Sequence, residues 1–153
     1  MSALELKVPP VVLVLVTALV MWLASLAVPS FGIPANVRVS VSLVLVAAGV
    51  LIALAAVASF RRARTTVNPT KPNSTSSLVS GGIYSATRNP MYLGLLLVLL
   101  GWAAFLSNAS AFAVVPAFVL YMNRFQITPE ERTLSATFGA EFSTYKAKVC
   151  RWL

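Results

Sequence analysis

The sequence predicts an all-α protein, a polytopic membrane helix bundle of about four transmembrane helices followed by a C-terminal amphipathic helix. Three observations carry this prediction. Hydrophobic residues make up 58% of the chain, against roughly 45–50% in soluble domains, and charged residues only 10%, against about 25%. The apolar residues are gathered into long uncharged runs. The basic residues lie beside those runs rather than within them.

The first span covers residues 9–28, an uncharged run long enough for a hydrocarbon core of ~30 Å. It lacks a convincing small-residue cleavage pattern and is read as a retained helix rather than a signal peptide. A Pro- and Gly-containing turn leads to a second span over residues 37–60, with Arg38 at its mouth. Residues 61–89 are rich in Ser, Thr, Asn, Pro and Gly and read as a loop. A third span, 90–106, and a fourth, 109–124, are short, and "SNAS" (107–110) joins them as a tight helical hairpin. In the tail, 128–153, Leu134, Phe138, Phe142, Tyr145, Val149 and Trp152 recur every three or four residues, which makes an amphipathic helix. It is expected on the membrane surface or packed under the bundle, with Gly139 a candidate bend. Thr128, Pro129 and Glu131 have the pattern of an N-cap, first helical position and capping box. The whole chain, 1–153, reads as a single membrane domain.

Orientation follows the basic residues. Arg61, Arg62, Arg64, Lys71 and Arg88 lie in the long loop, and Arg124, Arg132, Lys146, Lys148 and Arg151 in or before the tail. The opposite loops hold only Arg38, so both termini and the long loop are expected on the cytoplasmic side. All four acids, Glu5, Glu130, Glu131 and Glu141, fall on that side too.

Composition also excludes chemistry. The chain has no histidine, which removes histidine triads, His–metal sites and imidazole bases. Its single cysteine, Cys150, precludes an internal disulfide or a multi-cysteine metal site, so no metal is expected. The net charge of +8 is accounted for by topology and anionic headgroups, not by nucleic acid. The sequons at 73–75 and 108–110 fall in a cytoplasmic loop and a tight turn, so neither is read as glycosylated. No ionisable residue lies inside a span, which argues against a transporter.

Two constellations remain. In "GGIYSATRNPMYLG", residues 81–94, Asn89 and Pro90 fit a helix start and Arg88 a headgroup anchor. Tyr92 and Gly94, one turn further in, fit a site better than a cap, so both readings stand for this stretch alone. In "NRFQITPEER", residues 123–132, Arg124 could anchor in headgroups while Glu130 and Glu131 favour the positive helix end. The hairpin between them folds the chain back, bringing Arg88 and Tyr92 towards Arg124 and the two glutamates.

Together these motifs resemble the integral-membrane isoprenylcysteine carboxyl methyltransferase and phospholipid methyltransferase family, over about residues 81–151. The resemblance implies S-adenosylmethionine as cofactor, bound on the cytoplasmic side by Tyr84, Arg88, Asn89, Pro90, Tyr92, Gly94 and Glu131, with Glu130 in the same acidic pair. It implies that Arg124 helps hold the acceptor group, and Glu130 is the carboxylate available to take an acceptor proton. Asn89 stands where the family usually has histidine; an amide still donates and accepts hydrogen bonds. An arginine could grip the methionine carboxylate, and Glu and Tyr could face the sulfonium. The implied partners are membrane lipids and a lipophilic or lipid-modified acceptor. An isoprenylcysteine-type carboxylate is the first expectation, a phospholipid or small thiol the second. A bacterial inner membrane is the expected location. A non-catalytic membrane protein or a small transporter is the alternative of another class.

Overall fold

Helices in this chain follow the apolar runs, and proline and asparagine mark several of their starts. The computed structural model describes residues 5–63 and 77–153, so Arg64, Lys71 and the 73–75 sequon lie outside the described residues. Among the described residues the structure is helical with no strand. Five α-helices form: α1 (Pro10–Ser25), α2 (Ala35–Arg62), α3 (Pro90–Leu106), α4 (Ala109–Tyr121) and α5 (Thr128–Lys148). Pro10 and Pro90 occupy first helical positions, where their missing amides cost nothing. A short 3-10 turn, Gly82–Ser85, precedes α3, and a π-helical turn, Met122–Ile127, joins α4 to α5.

The apolar runs expected as spans lie on α1 to α4, with shorter limits for the first and fourth and longer ones for the second. At about 1.5 Å per residue, α2 extends over some 40 Å, and among the described residues it is the helix long and apolar enough to cross a membrane alone. Helices α1 and α3 are apolar but shorter, and α4 has 13 residues before the π turn.

The hairpin forms as expected. Ser107 adopts a left-handed conformation that ends α3, and Asn108 caps α4 by accepting from Ser110 N–H at 2.9 Å. The Asn108 amide also donates to the carbonyls of Val28 and Pro29, and Phe31 N–H donates to Ser107 O at 2.7 Å. Those bonds tie the α1–α2 connection to the α3–α4 turn at one end of the molecule. In between, Trp102 Nε1 donates to Ala18 O at 3.1 Å, joining α3 to α1. Helix α1 packs on α3 and α4, and α2 packs along α3.

The α2–α3 seam depends on missing side chains. A Cβ on Gly49 would stand 2.5 Å from Gly94 O, and one on Gly94 2.5 Å from Gly49 O. Further along, a Cβ on Gly101 would meet Val46 Cγ2 at 2.8 Å and Ser42 O at 3.0 Å. Lipid tails are as apolar as leucine, so helices in a membrane gain little from hydrophobicity and associate by close backbone packing. The outer faces of α1 and α2, with Val11, Leu15, Leu19, Leu43, Val44, Leu51 and Leu54, are exposed.

Thr128 does not cap a new helix. The helical run continues from α4 through the π turn into α5, and Thr128 N–H bonds Asn123 O, five residues back. Pro129, with no amide, leaves Phe125 O without its usual partner four residues ahead. Leu6 N–H fills that place at 3.0 Å. Gln126 Nε2 donates to Val8 O at 2.6 Å, so the segment before α1 is laced to the π turn.

The tail buries the predicted stripe from Leu134 to Val149 and bends at Gly139, whose φ of 49° and ψ of −116° interrupt α5; the helix ends at Lys148, and Trp152, expected in the same stripe, packs on the other core cluster. The bend lets Leu134, Phe138, Phe142, Tyr145 and Val149 pack on Ala56, Phe60, Tyr84 and Met91. The tail therefore lies under the bundle, the second of its two expected placements.

Substituting Gly49 or Gly94 by Ala is expected to lower stability by ~1–3 kcal/mol, the cost of overpacking a tight contact. Gly81→Ala is the control, because a Cβ there meets nothing within 4 Å. Thermal unfolding in detergent that shows equal midpoints for all three variants would contradict the seam.

Candidate functional site

The polar end of the bundle gathers side chains from three stretches separated by tens of residues. The stretch before α3 begins at Gly82, whose positive φ turns the chain beside Ser59 of α2. Tyr84 is buried in the 3-10 turn, with its ring edge-on to Phe60 at 5.3 Å. Its carbonyl accepts the Tyr145 hydroxyl at 2.7 Å. Thr87, Arg88 and Asn89 then lead to Pro90, which is buried at the mouth of α3.

Arg88 and Tyr92 meet the paired acids from the other side. The Tyr92 hydroxyl donates to Glu130 Oε1. Arg88 Nη2 lies 3.4 Å from Glu131 Oε1, and both side chains are only 10% exposed. Among the described residues, the Nε and Nη1 of Arg88 are buried with no hydrogen-bond partner. Two N–H directions of a nearly inaccessible guanidinium thus point at no acceptor of the protein. A buried donor left this way is costly unless something else satisfies it.

Glu131 is gripped from further away in sequence as well. Arg151 closes a fork on it, with Nε to Oε1 at 3.2 Å and Nη2 to Oε2 at 2.6 Å. Lys146 Nζ approaches Oε2 at 4.0 Å. Three cations therefore surround one carboxylate, and the nest is rich in positive charge.

Its second carboxylate behaves differently. Burial pushes the Glu130 carboxyl up to about 8, against the opposing Tyr92 hydrogen bond and with a further push from the Glu131 charge. Near neutral pH it is mostly protonated. Burial also lifts Tyr145 to about 12, with Arg88 pulling it down, and lifts Tyr84 well above the ordinary phenol, helped by Tyr145 and Glu130. The phenols thus stay neutral donors across the physiological range. A cleft of about 580 Å³ opens beside Tyr145, lined also by Leu78, Ser80, Ser85, Glu141, Thr144, Lys148 and Val149.

Of the residues singled out in the sequence, Tyr84, Arg88, Tyr92, Glu130 and Glu131 converge here. The other four sit differently. Gly94 is consumed by the contact with α2, where its bare backbone meets Gly49. Asn89 makes no side-chain cap; its Nδ2 donates to Arg151 O at 2.9 Å. Pro90 acts as the first residue of α3. Arg124 is 59% exposed and pairs with Glu5 Oε1 at 3.3 Å, while Arg132 holds Glu5 Oε2 at 2.9 Å. The guanidinium of Arg124 also lies over the Phe125 ring, 5.5 Å from its centroid. Arg151, Lys146 and Tyr145 are the residues that sequence reasoning missed. Twenty residues separate Arg151 from Glu131, and a bend lies between them, so no periodicity links the two. The glycine at 139 was the available hint.

The family model described as phospholipid methyltransferase matches residues 37–141. An uncharacterized protein from Haemophilus influenzae is 51% identical over 63 residues, which is 41% of this chain and the whole of that protein. No solved structure matches the chain. The family match takes in α2, α3, α4 and both acidic residues of the nest, more than half of the sequence, and by it the chain belongs to the phospholipid methyltransferase family.

Proposed function

We propose that this chain is an integral-membrane methyltransferase that binds S-adenosylmethionine in the nest of Arg88, Tyr92, Glu130 and Glu131. It methylates a lipophilic acceptor that arrives through the bilayer. In this reading the four apolar helices α1–α4 span a bacterial inner membrane and the nest faces the cytoplasm. The carrying observation is Arg88, buried to 10% exposure, held by Glu131 through one nitrogen and unpartnered at two others. A carboxylate such as that of the cofactor's methionine end satisfies one of those donors with a charge-assisted hydrogen bond.

When bound, the cofactor supplies an activated methyl on a positively charged sulfur. The chain's own residues bind, orient and move protons. Glu131 fixes the Arg88 guanidinium. The positive charge of Arg151 and Lys146 attracts the carboxylate. Glu130 and the faces of Tyr84 and Tyr92 receive the positive sulfur. A cation beside Glu130 favours its ionised form, so binding expels its proton.

That proton traffic bears on the acceptor. An acceptor carboxylate arrives ionised and needs no base, whereas an amine must lose a proton before its lone pair attacks. Glu130, ionised once a cation lies beside it, is the carboxylate placed to take the amine's proton. We therefore rank the amine of a phospholipid headgroup above the isoprenylcysteine-type carboxylate suggested by sequence alone.

Arg88→Ala is expected to weaken cofactor binding by roughly a hundredfold, the scale of a buried charge-assisted hydrogen bond. Glu131→Ala has a comparable effect, and Arg61→Ala, on the exposed end of α2, changes it less than about twofold. Calorimetric titration in detergent measures all three; equal small effects favour a headgroup anchor instead. The same titration reports the Glu130 proton. Affinity is expected to rise as pH climbs from 6 to 8, by up to about tenfold per unit, and then level off. The apparent enthalpy should depend on the buffer's ionisation heat. Glu130→Gln removes both dependences; if they persist in that variant, another group supplies the proton. A radiolabelled methyl-transfer assay decides the acceptor. Label in the amine of phosphatidylethanolamine vesicles is the expected result, and label confined to an isoprenylcysteine methyl ester would reverse the ranking.

A further inference from the structure

A set of hydrogen bonds joins residues 87–89 to residues 150 and 151. Asn89 Nδ2 and Thr87 Oγ1 both donate to Arg151 O, at 2.9 and 3.3 Å. Arg88 N–H donates to Cys150 O at 3.0 Å, and Asn89 N–H to Thr87 Oγ1 at 3.2 Å. Thr87 is 1% exposed, so this clasp is shielded from competing water. Beyond it, Trp152 Nε1 donates to Asn123 Oδ1 in the π turn at 3.1 Å. The extended tail is therefore fastened on both sides of Arg151, whose side chain closes the fork on Glu131.

We infer that Asn89 and Thr87 are positioning residues: they hold the Arg151 backbone so that its guanidinium keeps Glu131 in register with Arg88. Asn89 then touches no cofactor. A donor is needed at position 89, because the partner is a carbonyl, and the Asn89 side-chain oxygen is not used in the clasp. An arginine on an unfastened stretch of backbone would sample many conformations, and ordering it would cost entropy each time the fork formed. With its carbonyl held by two donors, that cost is met on folding. Arg88 gains indirectly. Its Nη2 shares Glu131 Oε1 with Arg151 Nε, so the orientation of that carboxylate sets where the two vacant Arg88 nitrogens point.

The chain's single cysteine allows a direct test. Cys150 is exposed, and a nitroxide attached to it reports the clasp by electron paramagnetic resonance with no cofactor present. The expected result is an immobilised spectrum for the otherwise native protein and a mobile one for Asn89→Ala and for Thr87→Val. Asn89→His, whose ring N–H can donate to the same carbonyl, should restore immobilisation. Should Asn89→Ala fail to fold, Thr87→Val, nearly isosteric, carries the test. A label that stays immobile in a folded variant lacking either donor overturns the inference. The binding readout rests on the cofactor reading above. There, Asn89→Ala and Arg151→Gln should each weaken S-adenosylmethionine binding about tenfold, and their combination should be no weaker than Arg151→Gln within about twofold, since one acts through the other. A double variant that loses the product of both factors also overturns the inference. If the unmodified protein binds no cofactor, the functional reading fails while the label spectra still decide the clasp.

Discussion

The Glu131 carboxylate is the point on which the polar end of this protein turns. It is nearly inaccessible, and it receives Arg88 from the stretch before α3, Lys146 from the far half of α5 and Arg151 from the chain end. Those three groups come from parts of the chain that share no helix turn with Glu131. Remove the carboxylate and three cations face one another in a partly dry pocket, a repulsion that packing cannot offset. Its presence makes the α3 mouth, the bend at Gly139 and the tail mutually dependent. Helix packing elsewhere brings these elements close; the ion cluster decides how they face.

The two adjacent acids illustrate how environment divides labour between like groups. Glu131 has three cations around it. Glu130 has a phenol and a buried setting, and its proton is held up to about 8. Neighbouring residues on one helix thus present an ion-paired carboxylate and a removable proton. Pairs of titratable groups whose surroundings push them apart are a common mark of sites that move protons. In this chain, which has no histidine, that pairing provides a group titrating near neutrality, a role imidazole usually fills.

How much of this could be read beforehand depends on the range of each interaction. The apolar runs and the hairpin were legible because hydropathy and a Ser-Asn turn are local signals, and α2 and α3 lie where the runs are. The approach of Arg88 and Tyr92 to Glu130 and Glu131 was legible because a hairpin returns the chain to the end from which it started. Thr128 misled, because Thr-Pro-Glu-Glu has every local feature of a helix start. What overrode it was Leu6, more than a hundred residues away, whose amide fills the gap that Pro129 opens at Phe125 O. Gly94 misled for the opposite reason. Its bare backbone does allow close approach, but the visitor is Gly49 of a neighbouring helix. Arg124 sits near the acids in sequence and turns instead to Glu5. In each case the local chemistry was right and the partner was set by a distant segment.

That pattern has a physical basis in where specific bonds can form. Within the apolar helices the available interactions are close packing and a few capped polar groups, which hold helices together without fixing fine orientation. Directional bonds are concentrated at the polar end, and there both chain termini supply them. The segment before α1 threads onto the π turn through Leu6 and Val8, and the segment after α5 threads onto residues 87–89 and onto Asn123 of that same turn. The π turn is what makes this double attachment possible. A regular α-helical passage through Pro129 would still leave one carbonyl bare, but the wider turn also releases Asn123, whose backbone oxygen serves Thr128 while its side chain serves Trp152. A proline that breaks the helical ladder two residues before Glu131 thus opens the socket that Leu6 fills, Asn123 of the same turn takes Trp152, and the acids emerge from a helix whose first turn is held from outside.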